Sequence, residues 1–453
     1  MKKQATGIAL AAAMITTMLT ACSGGAQPQQ SAGTQSNPGT GSPPPQTAEP
    51  SKPAAVSSPA AGGGKVTINF WHSMGGKNGE YIDAMIKSFN ESQNKIEVVG
   101  TFQGAYAETL TKLQQAIPAK TAPDIAMVER GFIPLLADAD VLEDINPYLK
   151  KSGMSKDDFV PGLMGNITFN NKLVALPFNR STAILHVNKT MLDEKGLEIP
   201  KTWDDLKKVA NALVIKENNE YKRYGYSMVF ESWHPVAMIV QQKGRYINQQ
   251  GTSIGFGMEG INAFKFLKEM QSTGALYYPP AKDSGSITSQ MFISGQIGML
   301  YSSTGNIGSF INNAKFNYAT AFLPMKDTYG SPTGGANIAL LSQSKNKDAA
   351  WEFIHWAMTD PKGAQQFIMS SGYLPFTKKM VDSPEMKALW QKEPQRQVAY
   401  DQLQYAIDTS DHIQFPAIDQ EFLKMQSAIM YDNADIAASI ENFKKEAERL
   451  MKN

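Results

Sequence analysis

The sequence predicts an α/β protein with a parallel sheet, mostly covered by helices on both faces and divided between two domains. Three observations carry this. Between residues 66 and 138, strand-like and helix-like stretches alternate three times, the order that builds parallel strands joined by helical crossovers. A second α/β region occupies residues 173–341. The 389 residues from 65 to 453 have ordinary globular composition and exceed what one hydrophobic core usually supports.

Each element has a local reason. Val66-Thr67-Ile68-Asn69-Phe70 alternates and is β-rich. A turn is expected through Gly75, Gly76 and Gly79, followed by a helix carrying Tyr81, Ile82, Met85, Ile86 and Phe89 at helical spacing. Residues 95–102 read as a strand, 106–117 as a helix with Leu110, Leu113 and Ile117 on one face, 124–128 as a strand and 131–138 as a helix. Further on, 173–178 and 183–187 read as two strands interrupted by Asn179-Arg180-Ser181-Thr182. Thr202-Trp203-Asp204-Asp205 has the form of a capping box, in which the threonine and the acid three residues later satisfy each other's backbone N–H groups. Strands are expected at 224–230, 295–301, 318–322 and 337–341, helices at 259–270, 348–358 and 361–370, and a mainly helical chain after Tyr373. Trp351 and Trp356 lie within an amphipathic helical pattern and are assigned to the core.

The beginning of the chain is different material. Lys2 and Lys3 precede an apolar segment (residues 5–19) and then Leu19-Thr20-Ala21-Cys22, the three-part form of a secretory signal, too short and alanine-rich to favour a membrane span. Cys22 is the sole cysteine, so it has no internal disulfide partner. The L-T-A-C order resembles a bacterial lipobox, which makes Cys22 the expected lipid attachment site and residues 1–21 the signal peptide. The alternative is an ordinary signal peptide cut within residues 26–32. Residues 22–64 are rich in Ser, Gly, Ala, Gln, Thr and Pro and read as a disordered tether with a mean reach of roughly 35–40 Å.

Composition excludes several functions. Net charge is +1, with 43 basic and 42 acidic residues, and no basic stripe argues for nucleic acid. The five histidines (His72, His186, His234, His355, His412) show no metal-ligand spacing, so no metal or other cofactor is expected. There is no G-x-S-x-G elbow and no P-loop. Strand-terminal loops are where ligands sit in open α/β sheets. Here those loops fall at residues 71–79, 103–106 and 129–130. Trp71, Tyr106, Trp233 and Tyr373 lie at the ends of apolar runs beside glycine, serine, histidine or proline, and aromatic faces placed so can pack on sugars and polyols.

A set of short motifs then recurs in one order: Trp71-His72-Ser73-Met74-Gly75, Gly104-Ala105-Tyr106, Thr121-Ala122-Pro123-Asp124-Ile125, Leu176-Pro177-Phe178-Asn179 with Ser181-Thr182, and Lys201-Thr202-Trp203-Asp204-Asp205-Leu206. They continue with Phe292, Gly295-Gln296 and Gly298-Met299, then Gly334-Gly335 and Gly372-Tyr373-Leu374-Pro375. Together these resemble the family 1 extracellular solute-binding proteins of ABC importers, and within them the binders of glycerol-3-phosphate and glycerophosphodiesters. The resemblance implies a two-lobed periplasmic-binding-protein fold of class II type, with a cleft that closes over the ligand by hinge motion. The chain crosses between lobes near residues 176–179, 322–324 and 372–375 by that analogy. It implies residues 65–176 plus 323–375 for one lobe and 177–322 plus 376–453 for the other.

The resemblance also implies ligand contacts. Tyr106 and Glu129 come from the first lobe, Ser181, Trp233 and Ser303 from the second, Gly334 and Gly335 offer backbone, Tyr373 closes the site, and Trp71 stands near it. One departure matters: Asp411 falls where the phosphoester binders carry an arginine, and a carboxylate cannot replace a bidentate guanidinium at a phosphate. Arg180 or His412 could substitute, and Arg180 could equally be a hinge residue. A neutral sugar is then as well matched as a phosphoester. The implied role is a monomeric, non-enzymatic lipoprotein on the outer face of the bacterial cell membrane, delivering a sugar or glycerol-phosphate-type solute to ABC permease subunits. The alternatives are an exported carbohydrate-active hydrolase on the same tether and a sensor that presents its ligand to a receptor.

Overall fold

Buried and exposed residues alternate along the first strand, β1 (Val66–His72), which places Ile68, Phe70 and His72 on the core side. A computed structural model describes residues 64–409 and 412–452, so the expectations for Cys22, for the segment before Gly64 and for Asp411 lie outside the described residues. The strands that follow are β2 (Ile96–Phe102), β3 (Ile125–Glu129), a small hairpin of β4 (Thr168–Phe169) and β5 (Lys172–Leu173), β6 (Leu176–Asn188), β7 (Ile215–Glu217) and β8 (Glu220–Met228). Then come β9 (Leu276–Tyr277), β10 (Ile297–Ser303), β11 (Tyr318–Ala321), β12 (Ser331–Leu340) and β13 (Ala406–Ile407). Among the described residues, eleven strands form one sheet along the order β2-β1-β3-β12-β6-β10-β8-β7, with β11, β13 and β9 as side branches.

The expected parallel pairing is present in both halves of the sheet but not in the middle, nor at the β7 edge, where β7 runs antiparallel to β8. β1 pairs in parallel with β2 and β3, and β8 with β9 and β10. Between them, β12 runs antiparallel to both β3 and β6, and β6 antiparallel to β10 and β11. The sheet is therefore mixed, because two long strands cross in opposite senses from one half to the other.

Those two strands also correct the sequence reading. β6 runs unbroken through Asn179-Arg180-Ser181-Thr182, and all of its residues are buried. A polar tetrapeptide reads as a loop, but here several of its groups have internal partners, which offsets the cost of burying them, although Asn179 Oδ1 has none among the described residues. Asn179 donates to the Tyr106 hydroxyl at 2.7 Å, and Gln402 donates to Thr182 Oγ1 at 3.3 Å and to the Ala183 carbonyl at 2.6 Å. β12 likewise continues through Gly334 and Gly335. The segment at 322–324 does not cross: Leu323 is buried in the second core described below, Met325 bonds to Lys201, and the traverse is made by β12. The third expected crossing lies beside β6, where Leu374 N–H donates to the Arg180 carbonyl at 2.9 Å.

Two hydrophobic cores follow from the alternation on β6. Ile184 faces a core that begins at Phe70, Phe89, Phe178 and Phe353 and extends beneath Leu300, Phe310 and Tyr318. Ala183, Leu185 and Val187 face the other, which contains Trp203, Tyr226, Phe264 and Phe422. Helices Trp203–Leu213, Met258–Ser272, Phe415–Met430 and Ile436–Met451 cover that face. Each fully buried aromatic such as Phe264 contributes roughly 1.5–3 kcal/mol. The capping box is formed: Thr202 Oγ1 accepts from Asp205 N–H at 3.1 Å and Asp205 accepts from Thr202 N–H at 3.0 Å. The expected glycine turn is shorter than predicted, since helix Gly76–Ser92 starts within it and takes up Gly79. Trp351 is in the first core and Trp356 packs against it.

Candidate functional site

One turn is built twice. β3 ends at Glu129 and passes through Arg130-Gly131-Phe132 into helix Ile133–Asp138, and β10 ends at Ser303 and passes through Thr304-Gly305-Asn306 into helix Ile307–Asn313. Glu129 and Ser303 share nearly the same backbone (φ −58°, ψ 141° and φ −64°, ψ 142°). Each side chain caps the turn it begins, Glu129 Oε2 accepting from Gly131 N–H at 2.6 Å and Ser303 Oγ from Gly305 N–H at 3.1 Å. The two turns come from the two halves of the sheet and both line a cavity of about 910 Å3 over the crossing strands. That is at the upper end of ordinary small-ligand sites.

The crossing strands supply the floor. Gly334 is required there because a Cβ would lie 2.7 Å from Cζ2 of Trp233, whose indole packs flat against the strand and donates from Nε1 to the Pro332 carbonyl at 2.8 Å. Gly335 has φ +77°, and a Cβ on it would lie 2.0 Å from the Asn179 carbonyl oxygen. Trp233 is the first residue of helix Trp233–Val240, not part of a loop. Tyr106 and Tyr373 meet at Asn179, which donates to Tyr106, while the Tyr373 hydroxyl approaches Met74 Sδ at 3.5 Å. Burial raises both phenols well away from ionisation, so they remain hydrogen-bond donors.

Tyr106, Glu129, Ser181, Trp233, Ser303, Gly334, Gly335 and Tyr373 are thus brought together on one cavity, and Trp71, Arg180 and His412 are not among its lining. Trp71 is half-buried on β1 against the first core. Arg180 is fully buried behind the floor. Its Nε donates to the Gly334 carbonyl at 3.1 Å, Nη1 to the Leu163 carbonyl and to Asn337 Oδ1 at 3.2 Å each, and Nη2 to Thr333 Oγ1 at 2.7 Å. Burial lowers it to about 10, which leaves it charged at neutral pH. Arg180 therefore ties β6 to β12 and does not reach the cavity. His412 stands just outside the wall and accepts from Gln414 N–H at 3.0 Å.

Several lining residues escaped the sequence reading. Glu231 and Ser232 directly precede Trp233 and were within reach of the argument that found it. Asp419 lies inside helix Phe415–Met430, and no local signal marks it. Arg130 is 4 % exposed, with Nη1 3.6 Å from Asp408, Nη2 donating to Thr409 Oγ1 at 3.1 Å and Nε 3.9 Å from Glu129. Burial raises Glu129, and Arg130 and the Gly131 N–H oppose the rise. Glu231, ringed by protein yet open to solvent through the cleft, is pushed up to about 7 by crowding and then by Asp419 and Glu129. Burial raises Asp419 to about 6, against the lowering influence of Ser232, Arg130 and Tyr246. Among the described residues no histidines, cysteines or acids converge as a metal site, and no helix is long and apolar enough to cross a membrane.

Three acids in one cleft would on their own admit a hydrolase. Comparison with known proteins decides between hydrolysis and binding. The family model for bacterial extracellular solute-binding proteins matches residues 84–396. The chain belongs to this family. It is a solute-binding protein and not an enzyme. The sn-glycerol-3-phosphate-binding periplasmic protein UgpB of Escherichia coli K12 is 27% identical over 352 residues, covering 72% of this chain and 78% of that protein. The ABC substrate-binding protein Lmo0181 of Listeria monocytogenes, solved with cycloalternan, superposes with a TM-score of 0.77 at 20% identity, over 86% of this chain and 99% of that one. UgpB of Mycobacterium tuberculosis, solved with glycerophosphocholine, gives the same TM-score and the same coverage at 22% identity. These neighbours establish the two-lobed binding-protein fold.

Proposed function

We propose that this protein captures a polyhydroxylated, carbohydrate-type solute between its two lobes and delivers it to the membrane subunits of an ABC importer. The observation that carries the reading is the composition of the cavity: an indole face held flat by Gly334, with Glu129, Ser181, Ser303, Tyr106 and Tyr373 around it as acceptors and donors for hydroxyl groups. Stacking on the sugar's C–H face and hydrogen bonds to its OH groups are what such a surface offers. The relatives named for a glycerol phosphoester and the neighbours solved with an oligosaccharide or a glycerophosphodiester keep both ligand classes in view. Charge favours the sugar. The Arg180 guanidinium is spent on β12, and Arg130 faces Asp408 and Glu129, so a phosphate would meet acids.

Contacts from both turns would draw the lobes together about β6 and β12, a population shift toward the closed form that the permease reads. Cys22 carries the lipid in this reading, residues 22–64 form the tether, and the protein acts as a monomer on the outer face of the membrane. The test is tryptophan fluorescence and calorimetry with neutral oligosaccharides, sn-glycerol-3-phosphate and glycerophosphocholine, with product analysis of each mixture. Saturable binding of an oligosaccharide without turnover supports the reading. Tighter binding of glycerol-3-phosphate than of any sugar overturns it.

A further inference from the structure

The cavity's ionisable lining is lopsided. Among the described residues, Glu129, Glu231 and Asp419 face it against one cation, Arg130. Arg130 lies within ion-pair distance of Glu129 and Asp408, so its charge is already shared with two acids. Among the described residues, Glu231 and Asp419 form no ion pair within 4.0 Å. Burial and then Asp419 and Glu129 raise Glu231, and no neighbour offsets the rise there, whereas Ser232, Arg130 and Tyr246 offset part of the rise that burial causes at Asp419.

A second feature points the same way. Tyr246 is 2 % exposed and lines the cavity beside Asp419; its hydroxyl and Asp419 Oδ1 lie close enough to interact but make no well-formed hydrogen bond, with each other or with any other group among the described residues. Buried polar atoms left without partners cost about 1–3 kcal/mol each, and they persist where a ligand group completes them. The three acids do not converge as a metal site, so the complement is an organic group and not a bare metal ion. The faces of Trp233 and Phe230 stand in the same wall, and aromatic faces attract cations.

The geometry points to a solute that carries a cationic nitrogen on its polyhydroxylated frame, seated between Glu231 and Asp419 with Trp233 and Phe230 beside it and the Tyr246 hydroxyl as an added partner. This rests on the carbohydrate-type reading and narrows it. The nitrogen belongs to an amino sugar, because the phosphate that accompanies choline in a glycerophosphodiester would meet the same acids.

The experiment is calorimetry on the intact globular chain at low salt. The probes are glucosamine disaccharide and trisaccharide, their N-acetylated counterparts, maltotriose, glycerophosphocholine and sn-glycerol-3-phosphate. The amine-bearing sugars should bind about tenfold or more tightly than the uncharged sugars, because the ion pair forms in a partly desolvated site. Glycerophosphocholine binding more tightly than the amine-bearing sugars overturns the amino-sugar assignment. In Glu231→Gln and Asp419→Asn that preference ratio should fall toward one. Melting curves report whether each variant folds.

A wild-type measurement stands apart from the variants. At pH 6.5, titration of the cationic ligand in two buffers of different ionisation heat should show proton release, as Glu231 and Asp419 give up protons in the field of the bound cation. Of the other charged or titratable groups facing them, burial keeps the phenols of Tyr106, Tyr246 and Tyr373 protonated and Arg130 is ion-paired, while Glu129, which burial also raises, adds to release in the same direction. Neutral sugars binding as tightly as their amines, with no proton release, overturn this inference alone. If no sugar binds, with or without nitrogen, the carbohydrate-type reading fails as well.

Discussion

Replacing Arg180 by methionine separates a hinge residue from a ligand contact. Methionine keeps an apolar stem of similar length and removes the guanidinium. The Gly334 and Leu163 carbonyls, Asn337 Oδ1 and Thr333 Oγ1 then lose their donor, although Thr333 retains Asp408 as a partner at 3.3 Å. Acceptors left bare in a fully buried place cost about 1–3 kcal/mol each. Deleting the cation recovers part of its own burial cost, the cost that lowers Arg180 to about 10. The bare neutral acceptors, offset in part by that recovered burial cost, net on the order of 3 kcal/mol. For a chain of this length that is a fall in Tm of several degrees. Arg180→Lys should recover only part, since a point charge cannot span four acceptors held in a planar fork's geometry. Differential scanning calorimetry measures the fall, and a solute titration measures affinity on the same samples. An unchanged Tm with abolished binding would refute the placement of Arg180 behind the floor.

Trp233→Ala should weaken solute binding by about 10- to 100-fold, as loss of a central aromatic anchor does, with tryptophan fluorescence no longer reporting the ligand. Gly334→Ala pushes a methyl to 2.7 Å from Trp233 Cζ2 and should cut affinity through displacement of the indole, which titration against the same solute would reveal. The ligand-free protein should lose thermal stability as pH rises through 6 to about 7, because Glu231 at about 7 and Asp419 at about 6 lie above their ordinary values. The folded state binds protons at these two groups more tightly than the unfolded one, so their contribution is fully present below the ordinary carboxylate range and lost by about pH 7, and Glu231→Gln should flatten the upper part of the profile. Thr202→Ala removes one half of a formed capping box and should cost about 1 kcal/mol in a denaturant melt while leaving solute affinity unchanged.

The repeating order up to Asp138 was legible because amphipathic spacing and β-rich alternation are local. The family was legible from short motifs whose order survives divergence. β6 was not legible as one strand: Asn179-Arg180-Ser181-Thr182 reads as a loop until its partners in β12 and at Tyr106 and Gln402 are known, and those lie far away in sequence. The same holds for the site. Tyr106, Glu129, Trp233, Ser303 and Tyr373 follow strand ends or family motifs and were found. Asp419 lies within an ordinary amphipathic helix and could be found only by folding. Arg180 sat inside the right motif, and only burial shows that it faces backward. The matched turns at Glu129 and Ser303 have different sequences, E-R-G-F-I and S-T-G-N-I, so backbone geometry exposes their equivalence where sequence similarity does not.

The most direct test of capture between lobes is hydrogen exchange by mass spectrometry, with and without a saturating oligosaccharide that the titrations identify. The account predicts slowed exchange in both matched turns together, residues 129–132 and 303–306, and at the start of helix Trp233–Val240. Protection confined to one turn, or found only away from the cavity, would contradict it.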